Sequence, residues 1–447
     1  MKLLGLALLV AIAAAVLRLG LLVYAAYVAC ALIALSKLFS RAWAHNIEAS
    51  RNEVPLKHEI GDKFSMEVTL TNHSGLNAPW LLAEDYVAQN DFTSRPQRIK
   101  LRGETRGILS LKKNSEQTLT YEVELLRRGC YQFGPLLLET GDLFGLQRDF
   151  RLLTKPAIVT VYPKLLPLHG YDIQSNRPMG EIRLTNRLFD DPTRVQGIKP
   201  HVPGEPLNRI HWRATARTGQ LQSKVYESTS VAGATIVLDF SKSAFPPPGE
   251  YYGSELAIQL AAAIAEALTQ LNEQVGLATN GVDALERLKH STADLSFRSR
   301  TVAQHKFREN IAKPIPQPVL VPTRRDVEQF ERILDQLARL ELSDDFPYAE
   351  LLAQAAPRFP RSATVLAVLG NVTEETALAL ASLEQRGFCV TALVISAGER
   401  GNPRWATAPE WAAHLLERDI PYRWVPDETT VQSICTPEGL SNLSARA

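Results

Sequence analysis

The sequence predicts a three-part chain: a helical hairpin in a membrane, an all-β sandwich of immunoglobulin-like size, and a doubly wound parallel α/β domain. Three observations predict it. The first 35 residues are almost uniformly apolar, residues 53 to 163 alternate with a period of two, and after Gly233 short apolar runs alternate with amphipathic helices. A chain of 447 residues has room for about three such parts. The boundaries fall at 1–40 for the hairpin, 50–165 for the sandwich, 166–232 for a polar junction segment, 233–430 for the α/β domain and 431–447 for a tail.

The hairpin follows from one charge. Leu3 to Leu17 and Leu19 to Leu35 are uncharged, with Arg18 and Gly20 between them. Each piece spans about 22–26 Å as a helix, a little short of a hydrocarbon core of about 30 Å. A single straight span would set Arg18 near the bilayer centre, at about 2.5–3.5 kcal/mol; a turn at the far interface avoids this. Lys2 ahead of an apolar run that includes Ala13, Ala14 and Ala15 also fits a cleaved signal, yet the second piece would still anchor the product. Lys37, Arg41, Arg51 and Lys57 follow and favour the cytoplasmic side, which predicts an inner-membrane protein with two helices and a cytoplasmic soluble part.

In the sandwich region, Met66 to Thr71 and Thr118 to Leu125 alternate apolar and polar residues, and Asn72 to Gly75 supplies a turn. Tyr131 to Glu139 and Ala157 to Tyr162 complete the expected strands. Such a domain serves as a spacer or a binding face. The four cysteines share no C-x-x-C spacing, which favours isolated thiols in a reducing compartment.

The junction segment is rich in arginine. Pro203-Gly204-Glu205-Pro206 forms a turn ahead of Arg209, His211, Trp212, Arg213 and Arg217. Two readings remain open. The guanidiniums form a docking patch for an acidic partner or a nucleotide, or they pair with nearby carboxylates while Trp212 plugs the domain junction. His211 has no accompanying Ser or Cys nucleophile motif, which argues against a catalytic base. The formal net charge of +1 argues against nucleic acid as a partner.

In the α/β domain, Ala234 to Leu238, Gln274 to Ala278, Ala363 to Leu369 and Phe388 to Ile395 read as buried parallel strands. Ser254 to Leu271, Asp326 to Leu340, Tyr348 to Ala355 and Thr373 to Gln385 read as the helices between them, with Trp411 to Arg418 and Tyr422 to Val425 as a further helix and strand. Ligands of such sheets sit beyond the carboxyl ends of the strands. There the first strand runs into Asp239-Phe240-Ser241-Lys242-Ser243, one carboxylate and two hydroxyls on a short loop, a donor set of the kind Mg²⁺ takes. The plainer reading is a strand-to-helix loop whose hydroxyls satisfy backbone donors.

Arg127-Arg128-Gly129-Cys130-Tyr131-Gln132-Phe133-Gly134-Pro135, Gly141-Asp142-Leu143-Phe144-Gly145-Leu146, Val161-Tyr162-Pro163 and above all Pro203 to Gly219 resemble bacterial domain-of-unknown-function family number 58. The resemblance runs from the hairpin to about Ile395. It implies a von Willebrand A-like α/β domain on a non-catalytic membrane protein, a scaffold that engages a protein partner, such as a MoxR-type AAA+ ATPase, in a maturation or assembly system. It also implies that Asp239, Ser241 and Ser243 match the first loop of a metal-ion-dependent adhesion site. This chain departs from that pattern: Asp344 to Pro347 offers no Thr, and Leu369 to Thr373 offers no Asp, leaving Asn371 or Thr373 as oxygen sources. The alternative function is a metal-assisted hydrolase working through Asp239, for which the sequence names no general base.

Overall fold

Helix α1 (Gly20–His45) is continuous past Leu35, where the apolar run ends. Lys37, Leu38, Arg41 and Ala42 are good helix formers, so nothing in the sequence stops it there. Its residues Val23–His45 are long and apolar enough to cross a membrane. The first half exposes Leu21, Tyr24, Tyr27, Val28 and Leu32. In the last turns the pattern reverses, and Ser36, Ser40, Trp43 and Ala44 form a buried stripe at helical spacing. The first apolar piece, Leu3 to Leu17, and the turn at Arg18 lie outside the described residues. The computed structural model describes residues 12, 20–88, 91, 93, 96–142, 148–168, 171–172, 177–178, 189–200, 210–229, 233–247, 249–291, 300–303, 317–360, 364–395 and 410–434.

The chain divides into two units, Met1–Tyr162 with Ala284–Ile315, and Pro163–Asp283 with Pro316–Ala447. The first unit holds two sheets. One has the order β1 (Ile47–Arg51), β3 (Lys63–Asn72), β7 (Glu116–Leu125), β5 (Ile99–Gly103). The other runs β2 (Lys57–Glu59), β10 (Ala157–Tyr162), β8 (Gly129–Gly141), β4 (Ala78–Val87), β6 (Arg106–Leu111), with β9 (Arg148–Leu152) also on β8. Period-two alternation turns Met66, Val68 and Leu70 of β3 and Leu119, Tyr121, Val123 and Leu125 of β7 inward. They pack against Tyr131, Phe133, Leu136, Leu138, Val159 and Val161 of the second sheet, so the core lies between two sheets, a sandwich-like arrangement. Trp43 of α1 belongs to that core. Ser40 Oγ donates to Asp149 Oδ2 at 2.6 Å, and Arg151 Nη1 donates to the terminal carbonyls of Ala44 and His45 at 2.7 and 3.1 Å, capping the helix with a cation at its negative end.

One motif of the family resemblance is architectural here. Arg51 forms an ion pair with Asp85 and donates through Nη1 to Phe133 O at 2.6 Å. Gly134 has φ +83°, and any Cβ there would collide with the Arg51 guanidinium, so glycine is required by both backbone and space. Residues 284–291 and 300–303 fall inside the stretch 233–430 that reads as a continuous α/β domain, yet they belong to the first unit. Arg300 Nε donates to Glu84 Oε2 at 2.6 Å, and Ala303 is fully buried.

The second unit carries a long two-stranded ribbon, β11 (Phe189–Pro200) with β12 (Gln222–Thr229), and between its strands the short helix α2 (Trp212–Thr218). Its main sheet contains β13 (Gly233–Leu238), β14 (Gln274–Thr279), β15 (Val319–Arg324), β16 (Thr364–Leu369), β17 (Cys389–Val394) and β18 (Tyr422–Trp424), in the order β15-β14-β13-β16-β17-β18. All neighbours are parallel except β14 and β15. Helices α3 (Glu250–Gln270) and α4 (Gln329–Arg339) contribute to one apolar cluster. Helices α5 (Tyr348–Ala355), α6 (Glu374–Gln385) and α7 (Glu410–Leu416) contribute to another, as α/β layering requires. The edge strand β15 is half-buried and had no signature in the sequence reading.

Candidate functional site

Strand β13 leads by α3 to β14 on one side, and β16 leads by α6 to β17 on the other, so connections diverge between β13 and β16. The carboxyl end of that pair is where an α/β sheet opens a crevice. The loops meet closely there. A Cβ on Gly370, just after β16, would lie 2.5 Å from Ala244 O and from the Phe245 ring, so glycine lets the two loops touch.

Asp239 follows β13 directly and is only 5% exposed. Its Oδ1 accepts from Ser241 N at 3.2 Å, Ser241 Oγ at 2.9 Å and Asn280 Nδ2 at 3.0 Å. Asn280, at the end of β14, is held in turn by Phe240 N at 2.6 Å and by Phe346 O at 3.2 Å. Ser241 Oγ also accepts from Ser243 Oγ at 3.2 Å and Ala244 N at 3.3 Å. Asp344 Oδ1 takes Ser243 N at 3.0 Å, which ties the 343–346 loop to the first one. Burial pushes the Asp239 carboxyl up, the hydrogen bonds pull it back, and the Asp344 charge raises it further. The buried Tyr348 phenol, near Asp239, is also held well above its ordinary range by burial and by that charge.

Asp239, Ser241 and Ser243 therefore lie together on one loop, with Asp344 and Asn280 as neighbours. The sequence marks the 344–347 loop only by its missing Thr and does not single out Asn280. The signal for Asn280 was a polar residue directly after a buried parallel strand. Asn371 and Thr373, the suggested substitute ligands, are engaged locally: Asn371 Oδ1 accepts from Val372 N at 2.9 Å, and Thr373 Oγ1 caps α6 by accepting from Thr376 N at 3.2 Å.

This donor set suits a divalent cation poorly. Ser241 Oγ has one proton and two lone pairs, and all three are engaged. Among the described residues no group of three or more His, Cys, Asp or Glu side chains could hold a metal ion. Within this set, Asp239 Oδ2, Asp344 Oδ2 and the lone pairs of Ser243 Oγ accept nothing among the described residues.

The junction motif has a different geometry. Arg209 and the turn Pro203 to Pro206 lie outside the described residues. His211 is the N-cap of α2, its Nδ1 accepting from Ala214 N at 3.1 Å, and Gly219 closes the helix in the left-handed conformation with φ 73°. Ile210 is buried and bridges to Ser223, which holds the helix on the ribbon. Trp212 is 68% exposed. Arg213 and Arg217, one helical turn apart, are exposed and have no ion pair among the described residues; the side chains of Asp190, Asp191, Glu205 and Glu227, the carboxylates of the expected network, lie outside them.

Comparisons with known proteins now bear on this chain. The uncharacterized protein YeaD of Bacillus subtilis (strain 168) is 21% identical over 238 residues, which is 53% of this chain and 56% of that protein's length. Among solved structures, the CARDB domain of the PF1109 protein from Pyrococcus furiosus matches 26% of this chain and 85% of its own, at 16% identity and a TM-score of 0.16. The complex of zinc 2-glycoprotein and prolactin inducible protein from human seminal plasma matches 26% of this chain at 9% identity, covers 93% of that chain and gives a TM-score of 0.18. Neither superposition is extensive enough to carry weight. Residues 198–307, from the last residues of β11 through α2, β12, β13, α3 and β14, match the family described as Protein of unknown function DUF58.

Proposed function

We propose that this chain is a membrane-tethered scaffold that receives a protein partner at the carboxyl rim of β13. The observation that carries this reading is the convergence of three loops on Asp239 at the divergence point of the sheet, through Ser241, Asn280 and, by way of Ser243, Asp344. The anchor is read as a hairpin of α1 with the preceding apolar piece, and Lys37 and Arg41 set the soluble units on the cytoplasmic side of the inner membrane. The α/β unit is read as von Willebrand A-like, and its partner as a MoxR-type AAA+ ATPase, on the strength of the family resemblance.

The test is a photo-crosslinking residue in place of Lys242, which is exposed in the middle of the rim. In native membranes the expected product is an adduct with a MoxR-type ATPase, reduced when Asp239 is replaced by Asn. Absence of any protein adduct, beside a strong adduct from a control position on the sandwich, would overturn the reading.

A further inference from the structure

The rim's chemistry narrows what the partner brings to it, on the reading that a protein docks there. Asp239 is nine-tenths buried, and all three of its hydrogen bonds go to Oδ1; Oδ2 accepts none among the described residues. Asp344 shows the same division, Oδ1 accepting from Ser243 N and Oδ2 accepting nothing among the described residues. Two carboxylates are thus each held by one oxygen, and the second accepts nothing among the described residues. The serines separate them, Asp239 Oδ1 to Ser241 Oγ to Ser243 Oγ, with Ser243 N on Asp344. Ser243 Oγ spends its proton on Ser241 and keeps only lone pairs.

Every group left open between these two carboxylates is therefore an acceptor. A divalent ion draws its oxygens to one point at about 2.0–2.6 Å, and the hydroxyl that would complete such a shell, Ser241 Oγ, is already saturated. Acceptors spread across two loops fit a donor that is itself spread: a planar guanidinium has five N–H donors, no acceptor, and a fork that reaches separate carboxylates. Lys242 is exposed between the serines and has no ion pair among the described residues, so it does not fill the place itself. We propose that the rim receives an arginine side chain of the partner between Asp239 and Asp344, where an adhesion-type site would take a metal ion.

The experiment uses the full chain in detergent micelles and ligand-observed saturation-transfer NMR. The probes are acetyl-Gly-Arg-Gly-amide, the same peptide with neutral citrulline for arginine, and Mn²⁺ alone. The arginine peptide is expected to bind, the citrulline peptide to bind about tenfold more weakly, and Asp344→Asn to weaken the arginine peptide about tenfold, the worth of one charge-assisted hydrogen bond. Asp344 is exposed, so that variant folds even where Asp239→Asn is less informative. Equal binding of the two peptides, or an arginine signal indifferent to Asp344→Asn, would overturn the proposal. So would stoichiometric Mn²⁺ binding that is lost in Ser241→Ala. An adduct from position 242 together with a silent arginine peptide would remove this inference and leave the docking reading standing.

Discussion

Two buried carboxylates, one in each unit, show how the same burial serves opposite ends. Asp85 is 1% exposed and Asp239 is 5% exposed, and burial pushes both carboxyls up. Asp85 is closed in by a full charge, the Arg51 guanidinium, and by Tyr121 Oη at 2.7 Å. Among the described residues Asp239 has only neutral donors, all on one oxygen, and the charge that acts on it is another carboxylate, Asp344. A buried charge that carries its own counter-charge is architecture. One held by neutral groups, with an oxygen that accepts nothing among the described residues, is what the proposed docking rim uses.

Substitutions can break this comparison. The largest effect is expected from Asp85→Ala, which strands the Arg51 cation inside the sandwich and should cost about 3–5 kcal/mol, read as a drop in the melting temperature of the full chain in detergent. Replacing Arg51 and Asp85 together by Met and Leu should recover most of that loss; an Asp85→Ala protein that melts like the parent would show that the pair is not the seal described. Next comes Ser40→Ala, which removes the bond to Asp149 and should cost about 2 kcal/mol, the usual worth of a hydrogen bond to a charged group. Its signature is faster amide exchange in β9 and the last turn of α1. His211→Ala should cost about 1 kcal/mol through loss of a helix cap. Because α2 buries none of its residues, that loss should appear as local exchange in 212–218 with little change in global melting.

The smallest effect is opposite in sign and sharpens the contrast. The folded pKa of Asp239 is raised, so its contribution to stability is complete below the ordinary value of 3.8 and is lost as pH rises through the folded pKa. Asp239→Asn should therefore melt slightly higher than the parent at neutral pH, with the gap closing as pH falls toward 3.8. A lower melting temperature at neutral pH would mean that the charge is compensated in the free protein.

Much of this was legible in the sequence because burial leaves a period. Leu119, Tyr121, Val123 and Leu125 announced β7 by alternation, and the apolar runs at 234–238 and 364–369 announced parallel strands covered on both faces. The end of α1 was illegible because its buried stripe is partly polar: Ser36 and Ser40 read as the close of an apolar segment, whereas tertiary contacts with β9 continue the helix. Residues 284–291 and 300–303 carry no composition shift, so long-range contacts such as Arg300 with Glu84 are what place them in the first unit. Asp239, Ser241 and Ser243 were found because a local motif gathers them. Asn280 and Asp344 were missed because the sheet order brings them there from 41 and 105 positions away, as the differences from residue 239 show.

The burial of Trp43 sets a limit on how the protein can be shortened. It is 5% exposed and belongs to the same apolar cluster as Ile47, Leu81 and Leu138. A chain trimmed after His45 to free it from detergent would leave an aromatic-sized hole at the sandwich's surface and orphan the Arg151 guanidinium, and it would be expected to aggregate. A cut near Leu35 keeps the plug and sheds most of the lipid-seeking face, so the boundary for a water-soluble form lies inside the helix, not at its end.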